Sequence, residues 1–315
     1  NKNEIKSIDE VNLLFFDIDQ NKNNLFLKRK SKNYELKSKF LNLEKIINSY
    51  LFSSDNTSLK IFENLNSSLK IKIDKSIIEK QHYLNNISGI INFKNNKIYK
   101  AKIDGVSVDG KKTKIQTNTL NDEIITTFRS DSPNIFVSKY SFVNGFDGEY
   151  LDFYSSKKAN ISNAELVINN FKLKEMPALT KILSLASLQG IADLLTGEGI
   201  RFNEFDMRFV KEDDLVTIDE IYAIGPAISI LMSGYVEGDL VSLRGTLVPA
   251  TTINKVIGSI PILGDILIGK GVGEGVFGVS FKIKGSKNDL KTTVNPIKTL
   301  TPRFITRTLE KVKQQ

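Results

Sequence analysis

Gly273, Gly275 and Gly278 stand at the GxGxxG spacing with which a dinucleotide-binding turn admits a pyrophosphate. That chemistry needs a strand before the turn and a helix N-terminus after it. Here the alternating run Phe277, Val279, Phe281, Ile283 follows, so the glycines read as the entry to a strand. His82 is the sole histidine, between Gln81 and Tyr83, and no GxSxG elbow occurs, which leaves little from which to assemble a triad. Glu212, Asp213 and Asp214 fall together in KEDDL, a solvated hairpin tip by composition rather than a metal site, and Glu198 and Glu204 are likewise not read as site residues. No catalytic residue, metal site or cofactor is expected, and the chain does not read as an enzyme.

The elements that carry these residues are strands. Leu69, Ile71 and Ile73 alternate with Lys70, Lys72 and Asp74, giving one apolar and one wet face. Phe205, Met207 and Phe209 alternate with Glu204, Asp206 and Arg208 in the same way. Asn95-Asn96 and Asp109-Gly110 mark tight hairpins. Further strands are expected at 13–18, 25–28, 124–129, 135–142, 149–154, 164–173, 216–223, 227–235 and 240–248. The spacing predicts about fourteen strands in a meander, with a short helix over Lys39–Leu51 that puts Leu43, Ile46, Ile47 and Tyr50 on one side.

One apolar helical island interrupts this pattern, MPALTKILSLASLQGIADLLTGEGI at 176–200. Leu179, Ile182 and Leu183 recur at helical spacing, and Leu188, Ile191 and Leu195 repeat it after a phase slip near Gly190. The island either plugs the end of a β core or lids a lipid-sized cavity. A second apolar insert at 250–269 reads as a short helix followed by a looser turn. The tail from Pro302 places Phe304, Ile305, Thr308, Leu309 and Val312 on one helical side and Arg303, Arg307 and Lys311 on another, a stripe suited to the sheet end or to a membrane surface.

Composition narrows the partners. The chain of 315 residues has no cysteine, which excludes disulfides, thiolate metal sites and thiol nucleophiles. Its net charge of +8 is spread over the polar faces of strands without an aromatic-interleaved basic stripe, so nucleic acid is not expected. The longest charge-free run lies between Glu220 and Glu237 and is broken by Gly225-Pro226 and Gly234, so no window would span a bilayer. The chain opens at Asn1 without a signal pattern and is expected to be a fragment or a processed form.

With two helical inserts and so many strands, either the sheet curls onto itself or part of its dry face is left for something else. The expected architecture is mainly β: a long curved antiparallel sheet forming an open groove or partly closed taco, with the two inserts and a C-terminal amphipathic helix. Phe205, Met207, Phe209, Phe277, Val279, Phe281 and Ile283 are the groove-lining candidates, and Leu179, Ile182, Leu183, Leu188, Ile191 and Leu195 form the helical lid.

Five blocks carry a family likeness: DGEYLDF (147–153), NNFKLKEMPALTKILSLASLQGIADLLTGEGIRFNEFDMRF (169–209), AIGPAISILMSGYVEGD (223–239), RGTLVPATTINKVIGSIPILGDILIG (244–269) and GVFGVSFKIKGSKNDLKTTVNPIKTLTP (275–302). In order and spacing, residues 145–310 resemble the C-terminal module of AsmA-like proteins of the YhdP type, related to TamB within the bridge-like lipid transfer group. Residues 1–144 are similar to that family's preceding β repeats in texture alone, which divides the chain into 1–144 and 145–315. Arg303 stands where the family often carries glycine, and lysine and asparagine replace many small residues. The resemblance implies an inner-membrane-anchored periplasmic protein, its anchor upstream of Asn1, that conducts phospholipid along an apolar β groove toward the outer membrane. It brings no catalytic residues. A structural or assembly role in the envelope with a filled β core, and a lipid or glycan hydrolase, are the competing classes.

Overall fold

The computed structural model describes residues 8–47, 65–79, 82–137, 145–174, 177–185, 199–249, 278–287 and 289–297. These residues form sixteen strands: β1 (Glu10–Phe16), β2 (Lys22–Lys30), β3 (Asn33–Asn42), β4 (Ser67–Glu79), β5 (His82–Lys94), β6 (Lys97–Ser107), β7 (Lys112–Leu120), β8 (Glu123–Ser130), β9 (Asp147–Lys158), β10 (Ile161–Leu173), β11 (Ile200–Glu212), β12 (Leu215–Ile224), β13 (Ile228–Glu237), β14 (Leu240–Pro249), β15 (Gly278–Ser286) and β16 (Asp289–Ile297). Three short helical segments accompany them: α1 at 44–47, α2 (Asn134–Val137) and α3 (Pro177–Leu185). The strands are ordered in the sheet as they are in the chain, and among the described residues β1 and β16 are not paired. Among the described residues no helix is long and apolar enough to cross a membrane. The second apolar insert and the basic tail lie outside the described residues.

Tight turns explain why strand order follows chain order. Asn95 and Asn96 adopt φ of 50° and 63° between Lys94 and Lys97, the left-handed pair of a two-residue hairpin. Asn121 and Asp122 do the same between β7 and β8, at 50° and 62°. Asn and Asp reach this region because their short polar side chains satisfy nearby backbone groups. Asp213, at φ 49°, turns the KEDDL tip as its composition predicts.

Four sequence expectations need correction. Sixteen strands are present where about fourteen were expected. Residues 39–42 continue β3, and the helical turn starts only at 44, because the pairing with β4 runs on, with Phe40 opposite Lys75, Leu41 opposite Ser76 and Asn42 opposite Ile77. Of the strand expected at 135–142, residues 135–137 belong instead to α2, and 138–142 lie outside the described residues: Pro133 pre-sets a helical φ, Ile135 N–H donates to the Ser132 carbonyl and Val137 N–H to that of Pro133. Finally, β3 and β4 pair in parallel, with Leu36 beside Ile71. Parallel neighbours require a crossover, which the long connection 43–66 allows.

By contact density the chain divides into one compact unit of Asn1–Lys139 with Glu149–Ala164, and another of Tyr140–Gly148 with Glu165–Gln315. In the first, Leu41, Ile73, Ile78, Leu84, Ile87 and Ile135 form a buried cluster, with Phe128 edge-on to Phe136 at 4.6 Å. In the second, Phe146, Phe171 and Phe202 stack at 5.5 and 5.2 Å, and α3 packs against β16.

A polar clasp ties the β1–β2 turn to the end of β3. Asp17 accepts from the Asn42 side-chain amide at 2.7 Å and from the Asn21 backbone at 2.9 Å, while fully buried Asn23 accepts from Asn42 N–H at 2.6 Å. The Asn42 bond is the largest influence holding the Asp17 carboxyl at about 2, below its ordinary 3.8. A depressed folded-state value means the stabilisation is complete above about pH 4 and is lost as pH falls toward 2. Acid titration of the urea midpoint is expected to show a steeper fall over that window in the parent than in Asp17→Ala; parallel curves would refute the clasp.

Candidate functional site

In the first unit, the pairing register joins one line of apolar side chains across nine strands. Val11 pairs with Leu27, Leu27 with Leu36, Leu36 with Ile71, Ile71 with Gly89, Gly89 with Ile103, Ile103 with Ile115, Ile115 with Phe128, and Phe128 with Phe153. Paired residues share a face. All nine are neither buried nor fully exposed; Leu36, Ile71 and Ile103 pack in part against the buried cluster and Phe128 against Phe136, so the line is partly covered by the protein itself. Eight inter-strand steps of about 4.8 Å make it roughly 38 Å long, more than twice the about 15 Å that one leaflet's hydrocarbon spans.

The borders of this line differ. On one side the same face is sealed by Ile73, Ile87, Thr113, Ser130 and Leu151, all buried. On the other lie Tyr34, Leu69, Ile91, Ala101, Thr117, Thr126 and Ser155, of which Ala101 and Thr117 are buried as well and the rest half-buried, with Thr117 meeting Thr126 at 3.3 Å. Gly89 is required by close approach: a Cβ there would lie 2.3 Å from the Lys102 carbonyl oxygen and 2.8 Å from Ile103 Cα. The opposite face is wet, with Lys37, Lys72, Lys102, Lys114 and Arg129 exposed.

In the second unit, three ladder rows carry the candidates named from sequence. Phe205, Ala223, Ile230, Leu247 and Val279 form one; Met207, Ile221, Met232, Gly245 and Phe281 the next; Phe209, Ile218, Gly234, Leu243 and Ile283 the third. The six described candidates therefore share a single face. Their environments separate them. Phe205, Met207 and Phe209 are half-buried, whereas Val279, Phe281 and Ile283 are 0, 3 and 7% exposed. Phe281 fits over Gly245, whose missing Cβ would lie 2.6 Å from the ring tip. Phe277 lies outside the described residues.

Of the lid residues, Leu179, Ile182 and Leu183 are buried on one side of α3 while Lys181, Ser184 and Leu185 are exposed. Leu188, Ile191 and Leu195 lie outside the described residues.

The other face of β11 and β12 is not simply wet, as strict alternation would have it. Asp206, Glu220 and Tyr222 are 5, 4 and 1% exposed. Arg208, on the same face, donates from Nη2 to the Glu220 carboxylate, and this bond is the largest influence raising the guanidinium above its ordinary value. Only the cross-strand register brings Arg208 opposite Glu220, so no local pattern in the sequence marks the pair.

The groups considered for chemistry are scattered. His82 opens β5 opposite Glu79, Asp213 and Asp214 form a turn, and Gly278 opens β15. Among the described residues no three His, Cys, Asp or Glu side chains are grouped to hold a metal ion. The extended, half-covered apolar line is the feature with most to offer a ligand, and what it offers is solvation of hydrocarbon. No family model, curated protein or solved structure matches this chain.

Proposed function

We propose that this chain is a non-enzymatic carrier of phospholipid, holding acyl chains on an apolar sheet face while headgroups stay in water. The observation that carries the reading is the half-covered line from Val11 to Phe153. Exposing an acyl chain of about sixteen carbons to water costs about 0.8 kcal/mol per methylene, on the order of 13 kcal/mol in all. A face of isoleucine, leucine and phenylalanine removes most of that cost without bond chemistry. The likeness of residues 145–310 to AsmA-like modules supplies the setting: a periplasmic protein of the cell envelope that serves outer-membrane biogenesis between inner and outer membranes.

A second reading has its own support. Leu247, Val279, Phe281 and Ile283 are covered already, as in a structural or assembly factor with a filled core. Within the second unit, acyl contact is accordingly assigned to Phe205, Met207 and Phe209, and the tightly buried partners to packing.

Lipid extraction and mass spectrometry of the purified chain test the proposal. Photoreactive benzoylphenylalanine at Ile103 is expected to label bound phospholipid, and the same group at Lys102, on the opposite face, is not. Absence of copurified lipid, or equal labelling from both positions, would favour the filled-core reading.

A further inference from the structure

We propose that the wet face of β4–β7 docks on an anionic phospholipid membrane, leaving the dry face of the same strands free for acyl chains. This surface goes beyond the carrier reading and uses other residues. The register sets five exposed lysines on it in three adjacent rows: Lys72 with Lys114, Lys70 with Lys102, and Lys100. Three inter-strand steps and four residues of rise make the patch about 14 Å in each direction.

Among the described residues none of the five forms an ion pair. Asp74 and Asp104 are the carboxylates among them, so five ammonium groups face two carboxylates and positive charge is left over. Glu35, opposite Lys70, is already held by Lys30 at 2.7 Å and by Lys37 at 3.5 Å. In this unit α1 and α2 both pack on the dry side, through Ile47, Ile135 and Phe136, so these connections leave the lysines open.

The centre of the patch selects the partner. Ile90 lies between Lys70 and Lys102 in the middle row and is 47% exposed. An apolar side chain flanked by ammonium groups fits the boundary between headgroups and hydrocarbon, where it enters while the lysine stems reach back to the phosphates. Nucleic acid would ask for aromatic platforms between the charges, and this patch has none. An acidic protein surface, with carboxylates at fixed places, favours the rigid fork of arginine. Compact ammonium groups on flexible stems suit phosphates that are themselves mobile.

The chain has no tryptophan, so an introduced one reports without background. Emission from Ile90→Trp is expected to shift to the blue on vesicles containing phosphatidylglycerol and not on pure phosphatidylcholine. Leu240→Trp, at a position also 47% exposed but in the other unit, is expected to shift on neither. Each lysine near an anionic surface is worth about fivefold in partitioning, so joint Lys70→Gln, Lys72→Gln and Lys102→Gln should weaken vesicle binding about 100-fold. Removing the same charge at Lys282, Lys284 and Lys291, exposed on β15 and β16, should change it by less than about twofold. Far-UV circular dichroism checks that both triple variants are folded. Equal losses from the two would mean that net charge alone is at work. That result, an unshifted Ile90→Trp on anionic vesicles, or equal binding of the parent to both lipid compositions would each overturn the proposal. Acyl loading is read separately, because the vesicle-free chain is still expected to label lipid from Ile103 and not from Lys102.

Discussion

Phe281→Asp is expected to unfold the β11–β16 region, while Met207→Asp leaves it folded. The two positions sit in one ladder row on one face, and alternation alone gives no ground for treating them differently. Phe281 is 3% exposed over Gly245, so the substitution removes an interior aromatic side chain, worth about 3–5 kcal/mol, and adds the burial of a carboxyl. A loss above about 4 kcal/mol approaches the lower end of an ordinary domain's 5–15 kcal/mol. Met207 is half-buried at the other end of that row, where a carboxylate retains access to water and the cost is about 1–2 kcal/mol. Urea unfolding followed by far-UV circular dichroism separates the outcomes. Similar midpoints for the two variants would mean that Phe281 is not a packing residue.

Ile115→Asp is expected to weaken acyl binding about 100-fold. Ile115 lies between Ile103 and Phe128 in the half-covered line. A carboxylate there displaces hydrocarbon from roughly four methylenes, about 3 kcal/mol at 0.8 kcal/mol each. Because Ile115 is not fully buried, a carboxylate there retains some access to water and the fold is expected to survive. Lys114→Asp makes a larger change of charge on the opposite face and should leave binding within twofold. Displacement of a fluorescent fatty acid, with circular dichroism as the folding control, measures both. A folded Ile115→Asp that binds as the parent does would remove the line from the proposed function.

The comparison of Phe281 with Met207 also marks how far the sequence carries. Leu69, Ile71 and Ile73 against Lys70, Lys72 and Asp74 already disclosed a strand with one wet side. Phe205, Met207 and Phe209 were separable from Glu204, Asp206 and Arg208 on the same ground. Asn95-Asn96 and the KEDDL tip disclosed hairpins because the left-handed backbone they require is accessible to few residue types. Residues 135–137 misled because Ile, Phe and Val favour strands; Pro133 and the Ser132 carbonyl, acting from outside that run, decided for a helical turn.

Period-two alternation thus determined which side chains share a face within each regular run, because the direction of each Cβ is a property of the local backbone, while the bulge in β12 that puts Ile218 and Ile221 on one face was set by pairing. Only the tertiary structure decided what covers them. The burial of Val279 beside the partial exposure of Phe205, the enclosure of Asp206 and Glu220, the parallel pairing of β3 with β4, and the line from Val11 to Phe153 all depend on residues distant in the chain. Register and coverage arise from contacts between strands, and no single strand encodes its neighbours.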